Sequence, residues 1–251
     1  MASKKVRYWA SLFLVLIFCL GIISPAVARS AKATDFTDID HHWAKDTIAQ
    51  WVENGLVNGY TDGTFKPDKS ITRAEFMTLV NKAFGFSEKA AIGFSDAAAK
   101  DWFYDEIAKA VGAGYISGYQ DGTVKPNQEI SRQEAAAALC KALKLSPIVT
   151  EEVNKFADAQ TIPEWSKPYI GAVVAQGYMG GYTDGTFKAE RSITRAEIVV
   201  VLDRILGAQI LSYDVAGIYG PEEGVETISG DVIIKADGVT LQNLIITGDL
   251  I

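Results

Sequence analysis

Gly59-Tyr60-Thr61-Asp62-Gly63-Thr64-Phe65-Lys66-Pro67, followed after three residues by Ile71-Thr72-Arg73-Ala74-Glu75, decides the reading of this chain because it is written three times. The second version runs Gly118-Tyr119-Gln120-Asp121-Gly122-Thr123-Val124-Lys125-Pro126, then Ile130-Ser131-Arg132-Gln133-Glu134. The third runs Gly181-Tyr182-Thr183-Asp184-Gly185-Thr186-Phe187-Lys188-Ala189, then Ile193-Thr194-Arg195-Ala196-Glu197. A Trp (Trp43, Trp102, Trp165) stands 19 residues before each turn Asp (Asp62, Asp121, Asp184), and the Arg (Arg73, Arg132, Arg195) stands 11 residues after it. No insertion interrupts either interval. Upstream, Phe36-Thr37-Asp38, Phe94-Ser95-Asp96 and Phe156-Ala157-Asp158 open the copies, and the gap from that Asp to the Trp grows from 5 to 6 to 7. The block from Trp to Arg is therefore expected to be rigid, with the variable loop before the Trp.

Within the block, Ala44, Ile48, Trp51 and Val52 fall at helical spacing, and Asn54-Gly55 reads as a helix C-terminus whose glycine takes the left-handed conformation. Gly114 and Gly177 hold the equivalent places. The Asp-Gly pair sets a turn. A second helix starts at Thr72, Ser131 or Thr194, with an apolar stripe visible as Phe76, Leu79, Val80, Ala83 and Phe84. Each copy is then a helix, a turned loop and a helix, about 50 residues that bury little alone and need their neighbours for a core.

Thr72-Arg73-Ala74-Glu75, Ser131-Arg132-Gln133-Glu134 and Thr194-Arg195-Ala196-Glu197 fit the capping box, in which hydroxyl and Glu satisfy each other's backbone donors. The Arg is left unexplained. A cation in the first turn faces the positive end of the helix dipole, at a cost of several tenths of a kcal/mol, about 0.3–1 when exposed. Two compensations are open: an internal carboxylate such as Asp38, Asp62 or their equivalents, or an external anion seated on free helix-start amides and the guanidinium. The three Trp are read first as core residues and second as faces for a sugar ring.

Lys4, Lys5 and Arg7, an apolar run from Ala10 to Ile23 and small residues around Pro25 are the order of a secretory signal peptide, placed at residues 1–28. The run is too short for a membrane span, so no span is expected after cleavage. Cleavage removes three of the 24 basic side chains, which leaves 21 against 31 acidic ones and a formal charge of −10. With no basic run interleaved with aromatics, nucleic acid is not the expected partner. Cys140 is then the lone cysteine, so no internal disulfide can form, and it reads as a small buried residue. Cys19, Cys140, His41 and His42 do not form a zinc pattern. The Asp-Gly-Thr loops lack the ligand alternation of an EF-hand, and no nucleophile elbow or phosphate-binding glycine loop occurs. Neither a metal nor another cofactor is expected, and no catalytic residue is assigned; His41 and His42 read as exposed structural residues.

After Gly207 the composition changes. Ile228-Ser229-Gly230-Asp231-Val232 recurs as Ile246-Thr247-Gly248-Asp249-Leu250, an offset of 18 residues, among apolar strands. Residues 207–251 are expected to begin a β-solenoid-like segment, part of a longer product, with an edge open to self-association. Asp231 and Asp249 read as turn residues rather than as the carboxylates of a hydrolase.

Phe-x-Asp, Trp, Gly-Tyr-x-Asp-Gly-Thr, Lys-Pro and Ile-Thr-Arg-Ala-Glu, present three times in order, resemble the S-layer homology domains of bacterial cell-surface proteins. The resemblance covers repeats at 35–86, 93–145 and 155–206. It implies a mainly α fold, with three helix-loop-helix repeats in a pseudo-threefold bundle. It also implies that grooves between repeats bind an anionic, pyruvylated wall polysaccharide linked to peptidoglycan, anchoring a secreted protein at the cell surface without a covalent bond. Binding would fall on Arg73, Arg132 and Arg195, with Trp43, Trp102, Trp165, Asp62, Asp121 and Asp184 as further candidates. Ser-Arg-Gln-Glu in the second copy and Lys188-Ala189 in the third depart from the pattern, and the latter suggests a looser third loop. The competing functions are a protein-binding or lattice-forming module, and the anchor of a larger carbohydrate-active enzyme.

Overall fold

The computed structural model describes residues 36–149, 151–208, 211–228, 232–246 and 250. Residues 1–28, read above as a signal peptide, with Cys19, and the residues Asp231 and Asp249, read above as turn residues, lie outside them. The first copy supplies α1 (Lys45–Glu53) and α2 (Arg73–Ala83), and the second supplies α3 (Tyr104–Gly112) and α4 (Arg132–Ala142). A short helix α5 (Glu151–Asn154) and a 3-10 turn (Ala159–Thr161) lead into the third copy, with α6 (Lys167–Ala175) and α7 (Arg195–Ala208). No helix among the described residues is long and apolar enough to cross a membrane.

The first helix of each copy packs on the second helix of the copy before it: α3 on α2, α6 on α4, and α1 on α7. The last pairing closes the chain into a ring of three, so no copy owns its core. Phe76, Met77, Leu79 and Val80 of α2, Ile107 of α3, Ile48 and Trp51 of α1 and Ile198, Val199 and Leu202 of α7 are all buried in one continuous apolar cluster. A large aliphatic or aromatic side chain taken fully from water contributes about 1.5–3 kcal/mol. Ten such residues therefore outweigh any single polar contact described below.

At the centre the ring closes on backbone hydrogen bonds. Ile71 N–H donates to the Ile193 carbonyl (3.1 Å), Ile193 N–H to that of Ile130 (3.0 Å), and Ile130 N–H to that of Ile71 (3.1 Å). Isolated antiparallel bridges flank this triangle at Ser70–Thr194, Thr72–Glu129 and Ser131–Ser192. The isoleucine before each capping box thus marks the pseudo-threefold axis.

The Phe-x-Asp element fixes the turn loop. Asp38 accepts from the amides of Phe65 (2.9 Å) and Lys66 (2.7 Å), and Asp96 and Asp158 do the same for Val124–Lys125 and Phe187–Lys188. Lys66, Lys125 and Lys188 sit at φ of 56°, 52° and 55°, in the left-handed region. That conformation costs a non-glycine residue about 1–2 kcal/mol. Two hydrogen bonds to a carboxylate, each worth about 1.5–3 kcal/mol, exceed it. The third loop has the same geometry as the others: Ala189 in place of Pro leaves Lys188 in the same conformation, and the Ala189 carbonyl accepts from the Gln133 amide at 2.9 Å.

Beyond α7, strands β1 (Leu211–Tyr213), β2 (Gly217–Tyr219) and β3 (Glu226–Ile228) pair in parallel with β4 (Val232–Ile234), β5 (Val239–Leu241) and β6 (Leu244–Ile246), respectively. Ile228 lies opposite Ile246, at the 18-residue offset of the sequence repeat. Val232 also bridges Leu250 in parallel.

Candidate functional site: grooves between repeats

Each capping box is complete. Thr72 Oγ1 accepts from the Glu75 amide (3.2 Å) while Glu75 Oε2 accepts from the Thr72 amide (2.8 Å), and Ser131–Glu134 and Thr194–Glu197 repeat the exchange. The next two amides are also taken, by carbonyls of the following copy's loop. Arg73 N–H donates to Gln128 and Ala74 N–H to Pro126; Arg132 and Gln133 donate to Arg191 and Ala189; Arg195 and Ala196 donate to Lys69 and Pro67. The helix starts therefore offer no free amides, and the anion seat expected there does not exist.

The Arg side chains reach the same neighbour. Arg195 Nε donates to the Phe65 carbonyl (3.0 Å) and Nη2 to that of Asn58 (2.9 Å); Arg132 Nε donates to Phe187 (2.9 Å) and Nη2 to Gly180 (2.6 Å). Arg73 Nε donates to Val124 (3.0 Å), and its Nη1 donates to Glu134 (3.3 Å). The internal partner is a neighbouring copy's carbonyl rather than Asp38 or Asp62. Each guanidinium also lies on the ring of that neighbour's tyrosine, with Arg73 4.9 Å from Tyr119, Arg132 4.7 Å from Tyr182 and Arg195 5.0 Å from Tyr60. All three Arg are buried, and burial pushes the pKa of Arg132 and Arg195 down from the ordinary value. An arginine nonetheless keeps its charge in a protein. Among the described residues no carboxylate lies within ion-pair distance of Arg132 or Arg195, whereas Arg73 has Glu134.

The three Trp are not core residues. Trp43, Trp102 and Trp165 are 63%, 62% and 51% exposed, because α1, α3 and α6 turn the positions after them inward, leaving Ile48, Ile107 and Ile170 to fill the interior. Two equivalent grooves result. One, a cavity of about 360 Å³, has Arg132 of the second copy on its floor, Trp43 of the first on its lip, and Tyr182, Glu197 and Arg204 of the third along its wall. The other, about 170 Å³, has Arg195, Trp102, Glu75 and Lys82 in the same order, shifted round the ring by one copy. Lys82 and Arg204 are exposed and, among the described residues, form no ion pair. Each groove thus presents a floor cation, a wall cation and an indole face, each from a particular copy. The third combination, Arg73 with Trp165, has Ala137 and Ala138 where the others have Thr78-Leu79 and Val200-Val201.

Asp62, Asp121 and Asp184 lie outside these linings. Each closes its own turn, accepting through Oδ1 from the amide and hydroxyl of Thr64, Thr123 or Thr186, and each pairs with a lysine: Asp62 with Lys66 (2.8 Å), Asp121 with Lys125 (3.8 Å), Asp184 with Lys188 (2.8 Å). The Lys66 contact and the Thr64 hydroxyl hold Asp62 at about 2. The tyrosines were present in the sequence motif without an assigned role. In the structure, Tyr119 and Tyr182 donate to the capping-box carboxylates Glu134 (2.8 Å) and Glu197 (2.7 Å), and burial pushes Tyr119 up to about 12. His42 Nε2 donates to Asp68 (3.2 Å) and its Nδ1 accepts from the Ala44 amide (3.2 Å), a turn contact. Cys140 is buried and free, and burial pushes its thiol up. Among the described residues no group of metal ligands converges.

Comparison with known proteins places the same three blocks together. The S-layer homology domain matches residues 35–77, 93–136 and 155–199. The chain is 33% identical over 207 residues to the Surface-layer 125 kDa protein of Lysinibacillus sphaericus, covering 81% of this chain and 17% of that protein. It is 32% identical over 180 residues to Exoglucanase XynX of Acetivibrio thermocellus, 70% of this chain and 16% of that enzyme. It is also 36% identical over 159 residues to a Cellulosome-anchoring protein of the same species, 60% of this chain and 35% of that protein. The chain spans less than a fifth of the length of the first two.

Proposed function

Because the chain belongs to the S-layer homology domain family, we propose that its three repeats tie a secreted protein non-covalently to the bacterial cell wall, by holding an anionic wall polysaccharide in the grooves between copies. The observation that carries the reading is the pair of grooves with a buried arginine on the floor, the wall glutamate (Glu197 or Glu75) beyond ion-pair distance of it, and an exposed indole on the lip. A carboxylate-bearing sugar, such as a pyruvylated one, would place its acid toward Arg132 or Arg195 and the exposed cation Arg204 or Lys82, and its ring on Trp43 or Trp102. The negative net charge does not oppose this, since at physiological salt charges more than about 8 Å away are largely screened. Weak grooves engaged together gain by avidity.

The similarity to a cellulosome-anchoring protein and a surface-layer protein supports anchoring as the role, and the similarity to 16% of an exoglucanase is compatible with the anchor of a larger enzyme. In this chain the repeats are binding modules rather than an enzyme. The parallel strands after α7 support the reading of a β-solenoid-like segment, and Ile218 and Ile245, both exposed there, favour self-association along its faces. The test of the main reading is co-sedimentation of the mature chain with walls that retain their anionic polymer and with walls stripped of it. Binding to the first alone is expected; equal binding to both would overturn the polymer as ligand.

A further inference from the structure

The groove floored by Arg195 does not end at its indole. Glu75, Thr78 and Lys82 fall on one face of α2 over about 10 Å. Thr78 and Lys82 line both the cavity of Arg195 and Trp102 and a second one of about 420 Å³, whose other walls include Asn81, Phe86, Glu106 and Lys109. The two cavities are thus consecutive along the crevice between α2 and α3. Lys82, exposed and without an ion pair among the described residues, stands at their junction.

The second cavity is held rigid from beneath. Asn81 is 2% exposed; its Nδ2 donates to the Glu106 carbonyl and to Glu106 Oε2 (both 2.9 Å), and its Oδ1 accepts from Tyr115 (2.7 Å). Glu106 Oε1 accepts from Lys109 Nζ at 2.6 Å. An ammonium has three donors and a carboxylate about four acceptor positions, so after these bonds the pair retains about two of each, with no net charge. Phe86, half-buried, packs its ring on Tyr115 (centroids 5.9 Å apart) and Phe84 (5.7 Å) and gives the cavity an aromatic wall. The sister interfaces lack this set. Between α4 and α6 the residues corresponding to Phe86 and Lys109 are Leu145 and Ala172, and Lys141, the counterpart of Lys82, lies over the ring of Tyr169 at 5.9 Å. Between α7 and α1 they are Ala208 and Gln50.

We propose that the Arg195 groove is a two-sugar site, in which an acidic sugar on Arg195 and Trp102 is followed by a neutral one between α2 and α3. This rests on the reading that the grooves hold wall saccharide. Neighbouring hydroxyls of a sugar each donate and accept, which matches what the Lys109–Glu106 pair has left to offer, while the C–H face of the ring lies on Phe86. A second acidic sugar is disfavoured there, because the charge of Lys109 is already neutralised and Glu106 repels a carboxylate. The Arg132 groove, with Gln50 and Ala208 in the corresponding places, reads the acidic sugar alone.

The test is an NMR titration of the mature chain with size-sorted fragments cut from the wall polymer, one and two sugars long and each retaining one acidic sugar. The indole N–H signals of Trp102 and Trp43 report the two grooves separately. At Trp102 the two-sugar fragment is expected to bind about 10-fold more tightly than the acidic sugar alone, as for one or two added hydrogen bonds, whereas at Trp43 the two should bind alike. Phe86→Leu and Lys109→Gln, which install the sister residues found at Leu145 and Gln50, should each remove about 3-fold of that preference while leaving the single sugar's affinity at Trp102 unchanged. The same length preference at both indoles, or a preference at Trp102 that survives the double variant, would overturn the second subsite and leave anchoring in place. Silence of both indoles toward every fragment would overturn it as well, and wall co-sedimentation of the same protein then decides whether the anchoring reading falls with it.

Discussion

Arg195 donates to the carbonyl of Phe65 across 130 positions of sequence, joining the last repeat to the first. The bond is buried, and a second one to Asn58 shares the same guanidinium. Arg195→Ala therefore leaves two inward carbonyls without a donor at the seam that closes the ring. A loss of about 3 kcal/mol is expected, read as a lower urea midpoint. Arg195→Lys should recover less than half, because an ammonium on a flexible stem cannot fork to two carbonyls as guanidinium does. A wild-type midpoint for Arg195→Ala would show that the arginine serves the ligand alone.

Gly59 depends on close approach rather than on a turn. A Cβ built there would overlap the ring of Phe36, and one on Gly181 would lie 2.7 Å from Phe156 Cε1 and 2.8 Å from the Thr186 carbonyl oxygen. Gly59→Ala must push Phe36, which also packs on Phe65 with ring centroids 5.8 Å apart, out of the core. Overpacking of this kind costs about 1–3 kcal/mol. Gly93→Ala, with nothing within 4 Å of its Cβ, should stay within about 0.5 kcal/mol of wild type by thermal or urea unfolding.

The capping-box carboxylates give stability a defined pH dependence. Burial pushes Glu134 up, but the Ser131 amide and hydroxyl, Tyr119 and the charge of Arg73 outweigh it and leave the carboxyl below its usual range; the Thr194 amide, Tyr182 and Arg191 do the same for Glu197. A carboxyl whose folded pKa is depressed contributes stability above its unfolded pKa, about 4.3 for Glu, and loses it as pH falls through the folded value. Melting temperature should therefore hold from pH 7 to about 5 and fall below about 4. Glu134→Gln should flatten part of that fall while lowering stability at pH 7. An unchanged slope in Glu134→Gln would mean that other groups carry it.

The repeat, its two helices, the capping boxes and the turn at Asp-Gly-Thr were legible because each rests on contacts within a few residues. What was not legible is how copies exchange helices. Leu79 and Val80 show an apolar stripe, but nothing in it says that α3 rather than α1 covers that stripe. The same limit explains the arginines. Their unfavourable place at a helix start was readable, whereas the carbonyls of Phe65, Val124 and Phe187 that offset it belong to other copies. Trp43 read as core from its hydrophobicity, yet its position just before α1 leaves it on the groove lip. Tyr60, Tyr119 and Tyr182 carried a signal that went unused, since they recur beside the turn Asp in every copy.

The exposed indoles allow binding to be separated from folding, which the arginines do not. Trp43, Trp102 and Trp165 each keep more than half of their surface in solvent, so Trp→Ala at any one removes little buried area and should alter stability by no more than about 0.5 kcal/mol. If the sugar ring lies on the indole, the lost contact is worth about 2 kcal/mol at that groove, close to 30-fold in Kd. Replacing Trp43 and Trp102 together should therefore abolish co-sedimentation with polymer-bearing walls at protein concentrations where wild type sediments fully, with the melting curve unchanged. Because Trp43 and Trp102 sit over different floor arginines, Arg132 and Arg195, either single variant should bind more weakly than wild type but better than the pair. Full binding by the double variant, correctly folded, would place the polymer away from these grooves.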